Sequence, residues 1–182
     1  TSHERIALLP ASTALATLER QSPGQSGLGL VIAKSLAQLW GDFDYAIIDS
    51  PPLLGILMVN ALAACQQLVI PVQTEFLAVK GLERMVNTLA MINRSRKQAL
   101  PYLIVPTLFD RRTQASMSTL RVLRNSYPDN LWPAYIPVDT RLRDASRAGL
   151  TPSQFDVNCR AVLAYRALLK QLLATQPSAQ VA

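Results

Sequence analysis

Short apolar runs alternate along this chain with longer stretches of helical periodicity. Five runs are apolar at nearly every position, which is typical of strands covered on both faces of a sheet. The predicted strands are Arg5–Pro10, Tyr45–Asp49, Leu68–Val72, Tyr102–Leu108 and Trp132–Pro137. The predicted helices are Leu28–Trp40, Ile56–Ala64, Ala78–Arg96, Gln114–Tyr127 and Asn158–Ala174.

This order of strands and helices predicts an α/β fold. We expect a doubly wound, mostly parallel sheet of about five strands flanked by helices. The chain has 182 residues, of which 49% are hydrophobic, so it can build one sizeable core and is not globally disordered. We expect a single domain over residues 1–175 and a flexible tail over residues 176–182.

Ligands of parallel sheets bind beyond the carboxyl ends of the strands, so the residues that follow each strand are candidates for a site. Polar residues do follow four of them, at 49–52, 73–75, 109–113 and 137–139. We expect Asp49 to lie at the same edge of the sheet as Pro137 and Asp139.

Asp49 is the most informative of these residues because it ends an apolar run and precedes Ser50, Pro51 and Pro52. A carboxylate at a strand tip can hold a hydrated Mg²⁺ or orient a water molecule. It can equally cap the turn or helix that follows. The motif alone leaves both interpretations open.

The composition limits the kinds of functional site that the chain can contain and favours one cellular compartment. The formal net charge is +6, which permits a polyanionic partner. The single histidine, His3, lies near the terminus, which argues against a histidine-based metal site or triad, and Cys65 and Cys159 lie too far apart for a CxxC motif. This pattern favours the reducing cytoplasm. No apolar run is long enough to span a bilayer.

Four motifs in order carry a resemblance to a known family. The stretch DYAIIDSPP at 44–52 resembles the Walker B and switch II region of ParA/Soj-type partition ATPases, which belong to the MinD/ParA superfamily. The resemblance continues through IVPTLFDRRTQAS and YIPVDTRLRDASRAGLTPSQFD, and LLPASTALATLE resembles the stretch before Walker B. It covers nearly the whole chain and implies a P-loop NTPase-like fold.

The resemblance implies ATP and Mg²⁺ as cofactors and assigns roles to several residues. Asp49 matches the Walker B aspartate, which contacts Mg²⁺ through water and serves catalysis. Pro51 and Pro52 match switch II. Phe109 to Thr113 match the loop near the nucleotide and the dimer interface, with Phe109 and Asp110 as candidate contacts to the nucleotide. Pro137 and Asp139 match positions that border the adenine in the family. Read singly, each of these residues also fits a structural role.

The chain departs from the family at the P-loop. Its glycines at 24, 27 and 29 are not followed by Lys-Thr or Lys-Ser, so they supply neither the lysine nor the hydroxyl that a P-loop needs. We therefore expect a chain that is truncated at the N-terminus and inactive alone, with ATP hydrolysis confined to the full-length protein.

A group of arginines forms candidate contacts to DNA or to a partner protein. They are Arg111, Arg112, Arg141, Arg143 and Arg147. Their charges would give salt-dependent phosphate contacts. A solvated surface explains them as well, and Val138 stands where many nucleoid-binding members carry a basic residue.

Two functions remain open at this stage. The first is an ATP-dependent dimerising switch that positions DNA or a protein cargo, such as polar chemotaxis or flagellar machinery. It would form a homodimer on ATP binding, respond to a ParB-like or other activating partner, and act in the cytoplasm, on the nucleoid or at a pole, without binding a membrane. The alternative is a nucleotide-free interaction module that retains the family's partner surface.

Overall fold

The computed structural model describes residues 5–15, 17, 28–51, 55–96 and 98–175. The chain divides into two compact units, Thr1–Gln66 and Gln67–Ala182. The predicted tail at 176–182 and Pro52 lie outside the described residues.

The regular elements described in the first unit are helical. A 3-10 turn at Leu28–Leu30 leads into α1, Val31–Ala37, and α2 spans Ile56–Ala64. The backbone N–H of Ile32 donates to Asn60 Oδ1 at 3.2 Å, which joins the start of α1 to α2. The prediction of α2 is confirmed at both ends.

Two of the predicted strands are wrong within this unit. Residues 6–10 and 45–49 form neither strand nor bridge, and Ile47 is 95% exposed. A strand is defined by its hydrogen-bonded neighbour, and an apolar run carries no information about whether that neighbour is in place.

The second unit contains the parallel sheet. Strand β1, Leu68–Gln73, pairs in parallel with β2, Tyr102–Thr107, so that Leu68 lies opposite Tyr102 and Gln73 opposite Thr107. The fifth predicted strand is reduced to two parallel bridges, from Ile104 to Leu131 and from Phe109 to Pro137. The described residues therefore hold two strands and two bridges instead of about five strands.

Helices flank this sheet. They are α3 Phe76–Ser95, α4 Gln114–Ser126, α5 Arg141–Arg147, α6 Pro152–Phe155 and α7 Arg160–Thr175. The sequence predicted α3, α4 and α7 to within two residues at each end and did not predict α5 or α6. Helix α5 stops where Gly149, at φ 68°, takes the left-handed conformation that glycine adopts without strain.

Successive residues of β2 serve two different cores because side chains alternate across a strand. Ile104 is fully buried in a cluster with Ile70 of β1 and with Leu82 and Leu123, which α3 and α4 contribute from one face. Val105 is buried on the other face in a cluster with Trp132, Ile136 and Leu168. Each such buried side chain contributes roughly 1.5–3 kcal/mol relative to its exposed state, so β2 is held from both sides. Within the described residues, no helix is long and apolar enough to cross a membrane.

Candidate functional site

Three chain segments meet at the carboxyl end of the sheet in the second unit. The N–H of Thr74, just after β1, donates to the carbonyl of Thr107 at 3.1 Å. The N–H of Phe109 donates to the carbonyl of Ile136 at 3.1 Å, and the N–H of Val138 returns to the carbonyl of Phe109 at 3.0 Å. The structure thus places residues 109–110 beside residues 137–139, as their positions after neighbouring strands predicted.

Phe109 holds this junction with its ring as well as with its backbone. The side chain is 5% exposed, and its ring centroid lies 4.1 Å from that of Tyr135. A ring so buried is closed to a ligand, so any contact from Phe109 to a small molecule has to come from its backbone.

Asp110 begins a loop that is fixed by its own side chains. Arg112 Nε donates to Asp110 Oδ1 at 2.9 Å, and Arg112 Nη2 donates to Oδ2 at 2.7 Å. The backbone N–H of Arg112 also donates to Oδ1, at 3.0 Å. These hydrogen bonds from Arg112 lower the pKa of Asp110 to about 2. The same pairing raises the pKa of Arg112.

Thr113 ends this loop and starts α4. Its Oγ1 accepts from the N–H of Ser116 at 3.3 Å, which satisfies one of the unpaired donors in the first helical turn. Arg111, between Asp110 and Arg112, is exposed.

Asp139 caps two helices at once. Its Oδ1 accepts from the N–H of Arg141 at the start of α5, at 3.1 Å. Its Oδ2 accepts from the N–H of Ala161 at the start of α7, at 3.2 Å. Partial burial acts to raise the pKa of Asp139, but these two N–H donors and the charges of Arg160 and Arg141 outweigh it and lower the pKa.

Two arginines strengthen the same junction. Arg141 forms an ion pair with Asp156, and Arg160 Nη2 donates to the carbonyl of Val138 at 3.3 Å. Arg160 was missed by sequence reasoning, since it lies 22 residues from Val138 and looked like an ordinary position in the last helix. A cavity of about 350 Å³ opens beside this junction and is lined by Asp139, Thr140, Arg141, Asn158, Cys159 and Arg160.

The remaining predicted arginines, Arg143 and Arg147, are exposed on α5. Of the five arginines predicted to contact DNA or a partner, Arg112 and Arg141 are therefore engaged in ion pairs within the fold. All five are exposed, and no ion pair is described for Arg111, Arg143 or Arg147.

Asp49 and Pro51 belong to the first unit. Both are exposed, and Asp49 follows an apolar stretch that has no strand partner among the described residues. Within the described part of the chain, no three His, Cys, Asp or Glu side chains cluster in a way that could hold a metal ion directly.

Comparisons with known proteins show which family the chain belongs to. Residues 1–102 match the family described as an AAA domain. The chain is 29% identical over 167 residues to the chromosome-partitioning ATPase Soj of Treponema pallidum. The aligned region covers 91% of this chain and 66% of Soj. It is 29% identical over 175 residues to the sporulation initiation inhibitor protein Soj of Bacillus subtilis, covering 96% of this chain and 69% of that protein.

A solved structure shares the fold. The crystal structure of cobyrinic acid a,c-diamide synthase from Mycobacterium smegmatis, with a bound ATP analogue and magnesium, is 30% identical, with a TM-score of 0.73. The match covers 91% of this chain and 61% of that one, so the chain spans about two thirds of the length of the proteins it resembles. The chain, with its parallel sheet flanked by helices, belongs to the ParA/Soj-type family of partition ATPases within the MinD/ParA superfamily.

Proposed function

We propose that this chain is part of an ATP-dependent dimerising switch that distributes DNA or a protein cargo within the cell. Its likeness to Soj supports a partition role. The observation that carries the proposal is the junction at the sheet's carboxyl end, where Phe109 is hydrogen-bonded to Ile136 and Val138 and the loops at 109–110 and 137–139 lie side by side. By family resemblance these are the two loops that face the nucleotide.

By family resemblance, Asp49 is the residue that would contact Mg²⁺, and Asp110 and Asp139 belong to the loops that would lie beside the nucleotide. Bound Mg²⁺ would neutralise charge on the phosphates and favour their transfer to water. Asp49 is exposed, so its carboxylate can hold water molecules of a hydrated ion. The carboxylates of Asp110 and Asp139 are already engaged, by Arg112 and by two helix N-termini respectively. We therefore assign the magnesium contact to Asp49 and a supporting role to the other two.

The adenine side of the proposed site is formed by the backbone of residues 137–139. Asp139 ties this segment to α5 and α7, and Arg160 holds the carbonyl of Val138. A segment held from both directions presents its remaining polar atoms in a fixed arrangement, which reduces the entropy lost when a ligand binds. Pro51 and Pro52 are proposed to form switch II.

The exposed arginines are the candidate surface for DNA or a partner protein. Arg111 follows the sheet edge, and Arg143 and Arg147 lie on α5. We propose that nucleotide binding produces a homodimer, that a ParB-like or other activating protein stimulates it, and that the whole protein acts in the cytoplasm at the nucleoid or a pole. Residues 1–175 would form one ParA-like domain, with ATP hydrolysis a property of the whole protein.

The test uses the whole protein that contains this chain. Sedimentation velocity with and without Mg²⁺ and a slowly hydrolysed ATP analogue should show a monomer that becomes a dimer only when both are present. Salt-dependent binding to random-sequence DNA, measured in parallel, separates a DNA-bound switch from one that carries a protein cargo. A protein that binds no nucleotide and stays in one state would favour the alternative, a nucleotide-free interaction module.

A further inference from the structure

A pair of buried hydroxyl groups lies beneath the sheet edge, at the place where three elements begin or end. Thr74 follows β1 immediately before α3 and is 1% exposed. Ser116 lies in the first turn of α4 and is 6% exposed. Thr74 Oγ1 donates to Ser116 Oγ at 3.0 Å, across 42 residues of sequence. Buried polar side chains are costly unless they are paired, so this contact ties the start of α3 to the start of α4.

The same two hydroxyls bracket the loop at 108–113. Thr74 Oγ1 also lies 3.4 Å from the carbonyl oxygen of Leu108, so its single hydrogen can be shared between this oxygen and Ser116 Oγ. Ser116 Oγ accepts from the N–H of Asp110 at 3.4 Å. Phe109, which forms the bridge to Pro137, is thereby held between two anchored neighbours.

The backbone conformation of Leu108 indicates that contacts from the surrounding structure hold this loop in place. Its φ is 50°, in the left-handed region that costs a non-glycine residue conformational energy because Cβ crowds the backbone. It is 48% exposed, so burial of its side chain explains little of its conformation. Such strain persists only where surrounding contacts over-determine the backbone.

We propose that the Thr74–Ser116 hydroxyl pair positions the 108–113 loop, holding Leu108 in its left-handed conformation and fixing the distance from Phe109 and Asp110 to the starts of α3 and α4. The pair acts through the loop and touches no substrate. In consequence, and here the inference rests on the proposed function, loss of either hydroxyl weakens nucleotide binding by the whole protein.

Amide hydrogen exchange of Phe109 is the direct test. This amide keeps its own acceptor, the carbonyl of Ile136, in every variant, so its exchange reports the position of the loop and not the loss of its own hydrogen bond. Ser116→Ala should accelerate it by about tenfold, as expected for the loss of one hydrogen bond. The control is Ser118→Ala, on the same helix, whose exposed hydroxyl donates only to the carbonyl of Ala115; it should change exchange less than twofold. Equal exchange in the two variants would overturn the proposal.

Substitutions at Thr74 separate the effect of the hydroxyl from the effect of side-chain packing. They replace the first test if Ser116→Ala fails to fold. Thr74→Val keeps the shape and removes the hydroxyl, whereas Thr74→Ser keeps the hydroxyl and removes a methyl group. The proposal requires faster Phe109 exchange in Thr74→Val and near-normal exchange in Thr74→Ser. Equal acceleration in both would assign the effect to the methyl group and refute it.

A second substitution tests the role of strain. Glycine adopts a positive φ without the cost that leucine meets. Adding Leu108→Gly to Ser116→Ala should therefore return Phe109 exchange to within about threefold of wild type. A double variant that exchanges as fast as Ser116→Ala alone would show that the pair does not restrain Leu108.

Titration with a fluorescent ATP analogue in the presence of Mg²⁺ supplies the functional arm. We expect about tenfold weaker binding by Ser116→Ala and no change for Ser118→Ala, in line with the loss of one hydrogen bond. A wild-type protein that binds no nucleotide would refute the proposed function, while the exchange measurements would still decide whether the hydroxyl pair positions the loop.

Discussion

Residues 46–49 and 136–139 are two apolar runs that each end on an aspartate, AIID and IPVD, and the structure treats them differently. The second run lies beside β2, and its Asp139 is bonded to the N-termini of two helices. The first run has no strand partner among the described residues, and its Asp49 is exposed. The comparison teaches that a carboxylate already engaged in the fold stabilises it, whereas an open carboxylate is available for chemistry.

The largest expected effect is on Asp49. Asp49→Ala should lower ATP turnover by the whole protein by orders of magnitude, because several kcal/mol of transition-state stabilisation depend on a correctly held metal ion. The melting temperature without nucleotide should stay nearly constant, since the carboxylate is exposed. The measurements are phosphate release and thermal unfolding.

Asp44→Ala serves as the matched control because Asp44 is an exposed aspartate in the same unit. Normal turnover in Asp49→Ala would refute the magnesium role. A large loss of stability without nucleotide would instead identify Asp49 as a structural cap.

For Asp139 we expect the opposite pattern, in which substitution chiefly lowers the free energy of unfolding. Asp139→Ala removes an acceptor from the starts of both α5 and α7, and caps typically contribute about 0.5–2 kcal/mol each. We expect unfolding in urea to report a loss of roughly 1–3 kcal/mol. Asp129→Ala, at an exposed aspartate of the same unit, should have little effect. If Asp139→Ala leaves the free energy of unfolding unchanged, the proposed contrast between Asp139 and Asp49 is wrong.

The pH dependence of stability gives a smaller and more specific signal. Because the pKa of Asp139 is lowered in the folded state, its ionised form contributes stability above the unfolded pKa of about 3.9, and that contribution is lost as the pH falls through the folded value. The difference in unfolding free energy between wild type and Asp139→Asn should therefore be constant near neutral pH and shrink below about pH 4. A difference that grows on acidification would contradict this sign.

Asp110 provides the smallest effect and a third point for the comparison. Its carboxylate is engaged, like that of Asp139, but by the exposed side chain of Arg112. Arg112→Ala should raise the pKa of Asp110 from about 2 toward its usual value, as measured by NMR titration of the side-chain carboxyl. The melting temperature should hardly change, because exposed ion pairs contribute little. An unchanged pKa would show that Arg112 is not the cause of the shift.

Periodic helices were the most predictable part of the fold. The prediction of α2 was confirmed at both ends, and α4 begins at the predicted residue because Thr113 caps it and its buried positions repeat at helical spacing. Helices α5 and α6 were missed because they are short and largely polar, with ends fixed by contacts such as Arg141 with Asp156. Strands were less predictable, since residues 45–49 have the right composition but no strand partner in the part of the chain that the structure describes.

The pairing of two candidate segments in the second unit was predictable, whereas the hydrogen bonds that join them to the rest of the fold were not. Position after a strand was enough to bring Phe109 and Pro137 together. Nothing in the local sequence indicated that Asp139 would accept from Ala161, that Arg160 would bind the carbonyl of Val138, or that Thr74 would reach Ser116. Contacts between residues so distant in sequence depend on the packed fold, and periodicity does not encode them.

The double cap at Asp139 also has a consequence for how the chain can change in length. Residues 140–160 form an excursion from the sheet edge that begins and ends at the carboxylate of Asp139. This is because Asp139 accepts hydrogen bonds from the first turns of both α5 and α7. The two ends of this excursion are held together whatever lies between them. Closure entropy grows slowly, by about 0.6 kcal/mol for each doubling of a flexible loop. Insertions between α5 and α7 should thus be tolerated far better than insertions at 136–139, and evolution could vary this segment while leaving the strand ends in place.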